Sequence, residues 1–236
     1  MGVPLVPLSE LPKDIELVCC SMPSPKALIE LLGENVLKSP DSVWLKDLNA
    51  SGSNDWTWRE AQKEISAIAS WLNQTLGEPG QSVSVLSRNR AHWVMADMAI
   101  LASANISVPM FTTQSSTIAE YIFDFTDVKV LFVGEAENWE KIRNVIPDGV
   151  VIVTFPGVEV EGPSLRWDDL LHEYAGQTVS FDGRLDDMVS IVFTSGTTGM
   201  PKGVMQTNVS MTVPLIRSIP ALGLVENPRL VPRQRP

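Results

Sequence analysis

The stretch "SVSVLSRNRAHWVMADMAILASANISVPM", Ser82–Met110, decides the architecture. "SVSVL" and "ISVPM" are short runs carrying β-branched residues that suit strands, and "AHWVMADMAILASA" between them is long enough for a helix. Two strands joined through a helix run parallel in one sheet. The strand "VKVLFVG" further on has little polar alternation, and near-continuous Val, Ile and Leu in strands separated by helices implies a sheet covered on both faces.

The same alternation spreads outward in both directions. Downstream, "STIAEYIFDF" reads as a helix, "VKVLFVG" as a strand, "ENWEKIRNVI" as a helix, "VVIVTF" as a strand, "LRWDDLLHEY" as a helix and "MVSIVFT" as a strand. Upstream, Thr57 and Glu60 form a T-x-x-E capping box, in which each side chain satisfies a free backbone amide. Ile65, Ile68, Ala69 and Leu72 then make one apolar face, and Gly77 and Pro79 stop the helix. Before it, "NASGSND" reads as a turn or loop and "VWLKD" as a strand. A first helix is predicted from Ser24 as cap and Pro25 at its first position, with Ala27, Leu28, Leu31 and Leu32 at helical spacing. The fold class expected is α/β, a mostly parallel sheet with helices on both faces. No internal repeat or low-complexity tract interrupts it.

Composition narrows the partners. The chain has 236 residues, 44% hydrophobic and 19% charged, enough apolar material for a sizeable core. A formal net charge of -10 argues against a nucleic-acid partner, because phosphate backbones are bound by clustered Lys and Arg. Cys19 and Cys20 are adjacent, a poor geometry for a bridge. The first residues lack a basic start followed by a long apolar run. Both features point to a reducing compartment, the cytoplasm. "WVMADMAILASANISVPMF" carries Asp97 and Asn105, so it does not give the uninterrupted ~20 apolar residues of a membrane helix. His92 and His172 have no Cys or His companions at ligand spacing, so no metal site is assigned. Asn49, Asn73, Asn105 and Asn208 each begin an N-x-[ST] triplet and are read as chance matches.

The strand "MVSIVFT" feeds the loop "FTSGTTGMPKG", Phe193–Gly203. Ligands of open α/β sheets collect outside the carboxyl ends of strands. Gly196, Gly199 and Gly203 would let the backbone take positive φ and approach a ligand, turning amides toward an anion. Thr194, Ser195, Thr197 and Thr198 add hydroxyl donors, and Lys202 a point charge suited to phosphate. The pattern describes a polyphosphate cradle. One alternative is a solvated Gly/Ser/Thr turn between two strands. Another is the kinase-type loop G-x-x-x-x-G-K-[ST], which needs a helix to start at the lysine. Here Met200 and Pro201 separate Gly199 from Lys202, and Gly203 replaces the hydroxyl residue. "GVMQ" then reads as extended before Thr207 or Asn208 caps a later helix.

"TSGTTGMPKGV" resembles the signature loop of the AMP-forming adenylating enzymes: acyl-CoA synthetases, peptide-synthetase adenylation domains and luciferases. "WTWREAQKEISAIASWL" and "SRNRAHWVMADMAILASANISVPMFTT" are similar to that family's early helix and its next strand, helix and strand. The resemblance covers Ala27 to Leu230, and "SVPMFTT" and "DFTDVKVLFV" look closest to long-chain fatty-acid CoA ligases. It implies that a carboxylate, ATP and coenzyme A are the small-molecule partners. The carboxylate is joined to the α-phosphorus of ATP with release of pyrophosphate, and the acyl group is then passed to the thiol. It also implies that Thr194, Ser195, Gly196, Thr197, Thr198, Gly199 and Lys202 hold the β- and γ-phosphates, that Lys202 is catalytic in offsetting charge on the departing pyrophosphate, and that magnesium bridges the phosphates. An enzyme handling fatty acids leaves room for peripheral membrane contact.

The sequence also departs from the family. Asn208 stands where many members carry histidine. No tyrosine-glycine-x-threonine-glutamate segment, later ribose-binding aspartate, hinge or C-terminal lysine occurs. The expected organisation is an N-terminal extension over 1–23, a partial AMP-binding domain over 24–230 and a Pro/Arg tail over 231–236, the whole reading as the truncated N-terminal part of a ligase. The alternative is a catalytically inactive product that acts as a binding or interaction module.

Overall fold

The computed structural model describes residues 24–49, 52–194 and 200–221. The predicted extension over 1–23, the tail over 231–236 and the loop residues Ser195–Gly199 lie outside the described residues. Helix α1 (Leu28–Lys38) leads into the strands β1 (Val43–Asn49) and β2 (Gly52–Thr57), followed by α2 (Trp58–Leu76). Then come β3 (Ser82–Leu86), α3 (Ala91–Ala102), β4 (Ile106–Met110), α4 (Ser116–Thr126) and β5 (Val130–Val133). A short α5 (Trp139–Ile142), β6 (Val151–Thr154), β7 (Leu165–Arg166), α6 (Trp167–Glu173), β8 (Met188–Thr194), β9 (Lys202–Thr207) and α7 (Asn208–Ala221) complete the order.

The main sheet has strand order β7-β6-β5-β3-β4-β8-β9. Every pairing in it is parallel except β8 with β9. Alternate residues of the strands feed two apolar layers, as a pleated sheet requires. Val83, Val85, Val130 and Phe132 pack with α2, α3 and α6 residues such as Ile65, Leu72, Met95 and Trp167 on one face. Leu86, Leu131, Val133 and Phe193 pack with Ile122, Phe123 and Ile142 of α4 and α5 on the other. This is the predicted sheet with helices on both faces.

The capping box holds: Glu60 N donates to Thr57 Oγ1 at 3.2 Å, and Thr57 N donates to Glu60 Oε2 at 2.9 Å. Ile65, Ile68 and Leu72 are fully buried, each such burial contributing about 2 kcal/mol. Gly77 stops the helix with φ 73°, its N–H bonded to Asn73 O, a conformation that a side chain would resist.

Three local expectations change. The first helix starts at Leu28, not beside Ser24 and Pro25. Glu30 accepts the Ala27 N–H at 3.1 Å and Asn208 accepts the Leu28 N–H at 3.2 Å, so the free amides are satisfied without Ser24. The polar run read as a loop supplies strand, because Gly52–Asp55 pair antiparallel with Asp47 to Asn49 and Lys46 of β1. Within "ENWEKIRNVI" the α-helix covers only Trp139–Ile142, continued by a 3₁₀ turn over Arg143–Val145. Two of the four N-x-[ST] triplets begin at buried asparagines, Asn105 and Asn208. Among the described residues no helix is long and apolar enough to cross a membrane.

Candidate functional site

The order of the strands builds a crevice at one edge of the sheet. From β3 the chain passes through α3 to β4, then returns through α4 over β3 to β5. Those crossovers run in opposite directions, and their helices lie on opposite faces. From β5 the chain goes on to β6, away from β4, so the carboxyl ends of the neighbours β3 and β5 flank a topological switch point, where ligands of open α/β sheets bind. β8 lies next to β4 and ends at the same edge.

There the loop is framed by two described residues. Thr194 closes β8 and Lys202 opens β9; they are Cα partners in the antiparallel register, and Thr194 Oγ1 lies 3.5 Å from Lys202 O. Both side chains are exposed, and Pro201 between the loop and β9 is buried. Ser195, Gly196, Thr197, Thr198 and Gly199 stand between these two in sequence, outside the described residues. Lys202 begins a strand and not a helix, which removes the kinase-type phosphate loop, whose lysine sits at a helix start.

Gly203 corrects one expectation. It lies in β9 opposite Phe193 and is absent from the glycines with positive φ. Its missing side chain makes room: a Cβ there would stand 3.0 Å from Ile191 Cγ2 and 3.3 Å from Phe193 Cζ.

Thr207, not Asn208, caps α7: Ser210 N lies 3.4 Å from Thr207 Oγ1, and Thr207 N donates to Ser210 Oγ at 2.9 Å. Asn208 is 3% exposed and ties three segments together. Its Oδ1 accepts from Leu28 N at 3.2 Å, its Nδ2 donates to Arg184 O at 2.8 Å, and its backbone N–H donates to Asp187 O at 3.1 Å. Sequence reasoning marked the position as a departure from the family without finding this clamp, whose partner Leu28 is 180 residues away.

A second polar cluster lies in the helical layer. Glu64 accepts from Trp56 Nε1 and Trp167 Nε1, each at 2.9 Å, and His92 Nε2 stands 3.9 Å from its Oε2. Arg90 Nη2, which can only donate, is 3.4 Å from His92 Nδ1, so Nε2 carries the imidazole proton. Burial raises the Glu64 carboxyl above its ordinary range, against the two indole bonds that stabilise its charge. Burial first and the Arg90 charge second lower His92 to about 4. The group sits among rings: Trp56 and Trp167 meet the imidazole edge-on at 5.2 and 5.5 Å. It joins β2, α2, α3 and α6, and is a structural node. Among the described residues no group of three or more His, Cys, Asp or Glu could hold a metal ion.

The model of the AMP-binding enzyme family matches residues 32–227. The chain is 28% identical over 163 residues to a 3-oxocholest-4-en-26-oate–CoA ligase of Rhodococcus rhodochrous, covering 66% of this chain and 29% of that protein. It is 28% identical over 203 residues to long chain acyl-CoA synthetase 1 of Arabidopsis thaliana, covering 76% and 30%. It therefore spans under a third of the length of these curated relatives. Among solved structures, acetoacetyl-CoA synthetase from Streptomyces lividans superposes with a TM-score of 0.72 at 21% identity, covering 84% of this chain and 32% of that one. An anthranilate CoA ligase in complex with anthranoyl-AMP gives 0.65 at 24% identity, covering 80% and 36%. These structural likenesses establish the fold.

Proposed function

The chain belongs to the AMP-binding enzyme family, acid-thiol ligases by resemblance, and on that premise we propose that it supplies the phosphate-gripping part of an enzyme that activates a fatty carboxylic acid with ATP and transfers it to coenzyme A. The observation that carries the reading is the β8–β9 hairpin, which sets Thr194 and Lys202 opposite each other at the carboxyl edge of the sheet.

The chemistry explains the demand on that hairpin. A carboxylate oxygen must attack the α-phosphorus while the bond to pyrophosphate breaks, and both reactants are anions. Positioning and charge neutralisation supply much of the catalysis. Thr194, Ser195, Thr197 and Thr198, with the amides of Gly196 and Gly199, hold the β- and γ-phosphates. Lys202 offsets the charge that collects on departing pyrophosphate. In the second half, the thiol sulfur bonds to the acyl carbon and AMP leaves. Magnesium accompanies the phosphates and lessens their charge, and no step here depends on a protein ligand to it. The fatty-acid assignment draws on the long chain acyl-CoA synthetase relative and on "SVPMFTT" and "DFTDVKVLFV".

The test is release of AMP and pyrophosphate from ATP, assayed with a series of carboxylic acids. Release dependent on a fatty acid supports the reading; ADP and phosphate as products contradict it.

A second reading, a binding module without catalysis, is favoured by one observation. Among the described residues β9 has a strand partner only along β8, and Val204 and Met205 on it are 44% and 71% exposed. An apolar edge of this kind pairs with further strands, a second copy included. Concentration-dependent association in sedimentation, with no nucleotide-dependent reaction, is the result that reading predicts.

A further inference from the structure

The register of the β8–β9 hairpin depends on a close approach in which no charged group takes part. Phe193 and Gly203 are Cα partners, so both positions face the same side of the sheet. A Cβ on Gly203 would stand 3.0 Å from Ile191 Cγ2, and 3.3 and 3.4 Å from Phe193 Cζ and Cε1. These separations are inside ordinary carbon–carbon contact, so something must move.

Phe193 is poorly placed to yield. It is 6% exposed, and the rings of Tyr121 and Phe125 from α4 meet it edge-on, with centroids at 6.2 and 6.1 Å. Its strand is also bridged to β4 at Ser190, on the side away from β9. β9 has a partner on one side only among the described residues, so β9 is the element that shifts. Lys202 immediately precedes Gly203 in that strand, and the displacement falls on it.

We infer that Gly203 is a positioning residue for polyphosphate binding: the absent side chain lets β9 lie close over Phe193, and this closeness sets Lys202 opposite Thr194. The inference rests on the reading that Lys202 neutralises phosphate charge. It assigns Gly203 a purpose distinct from flexibility, since the residue is in a strand without positive φ. The added methyl demands a displacement of a few tenths of an ångström, and a directed charge-assisted contact weakens as its geometry leaves the optimum.

The experiment titrates sodium tripolyphosphate into the wild-type chain, Lys202→Ala, Gly203→Ala and the double variant Ile191→Ala/Gly203→Ala by calorimetry, with a thermal melt of each. Gly203→Ala is expected to bind about threefold more weakly, part of the loss that Lys202→Ala shows when the whole charge-assisted contact is removed, while its melting temperature stays near that of the wild type. The double variant, which removes the Ile191 methyl that the new Cβ meets most closely, regains most of the affinity. A purely structural role would move the melt and the affinity together.

Wild-type affinity in Gly203→Ala beside a weakened Lys202→Ala overturns the positioning role and leaves the phosphate reading standing. A double variant that stays weak overturns it also, because the clash is then not the cause. A wild-type chain that ignores tripolyphosphate overturns the phosphate reading, and the role of Gly203 with it. If Gly203→Ala does not fold, the double variant decides: folded and binding supports the inference, folded and weak refutes it.

Discussion

Thr194 and Lys202 face each other across the antiparallel β8–β9 pair, with the threonine hydroxyl 3.5 Å from the lysine carbonyl oxygen. The two residues that flank the glycine- and hydroxyl-rich segment are thus fixed by strand pairing, and both are exposed. Lys202→Ala is predicted to slow acid-dependent pyrophosphate release by at least tenfold, since it removes a charge-assisted contact to phosphate. Because the side chain is exposed, its unfolding free energy should stay within about 0.5 kcal/mol of the wild type. Pyrophosphate assays and urea denaturation check the two halves.

Asn208 gives the opposite pattern. Its buried amide bonds Leu28 N and Arg184 O, so Asn208→Ala removes both bonds and leaves the partly buried Leu28 N–H without its partner. The expected loss is about 2–3 kcal/mol of stability, read from the urea midpoint, with little change in nucleotide affinity per folded molecule.

Asp47 of β1 caps α3 from outside its own helix, accepting the Ala91 N–H at 2.7 Å where Arg90 provides no capping bond. Asp47→Ala should cost about 1 kcal/mol, through the lost cap and the lost negative charge at the positive end of the helix. Asp47→Asn, which keeps an acceptor oxygen, should recover part of that loss.

The buried His92 makes stability depend on acid. Its folded value of about 4 lies below its ordinary 6.5, so between those pH values the unfolded chain binds a proton that the folded chain does not. Stability therefore falls as pH drops through that window, by up to ~3 kcal/mol from this residue. Glu64, raised by burial, acts in the opposite sense, since the folded chain takes up its proton earlier on the way down. His92→Gln should flatten or invert the slope of unfolding free energy against pH between 6.5 and 4, measured by denaturation at each pH.

The features legible in the sequence are those set by neighbours in the chain. The Thr57–Glu60 box spans three residues, and the valine and isoleucine runs of β3, β4 and β5 announce buried parallel strands. The loop, too, was visible as a pattern, and its departure from a helix-starting lysine is matched by β9. What could not be read depends on partners far away. Glu64 meets Trp167 across 103 residues and Asn208 meets Leu28 across 180, and no periodicity reports such a pairing. Gly52–Asp55 looked like a loop because their side chains are polar and small, yet strand pairing is a backbone matter and β1 supplied the partner. Gly203 reads in the sequence as a flexible loop glycine; only the Ile191 methyl and the Phe193 ring across the pair reveal that space is what the position requires.

The central claim is that this hairpin grips the polyphosphate of ATP. The most direct measurement is calorimetric titration of ATP with magnesium into the wild-type chain and into Lys202→Ala. Saturable binding that weakens about tenfold or more in the variant is the predicted result. Equal affinity in the two chains, or no binding to the wild type, would contradict the account.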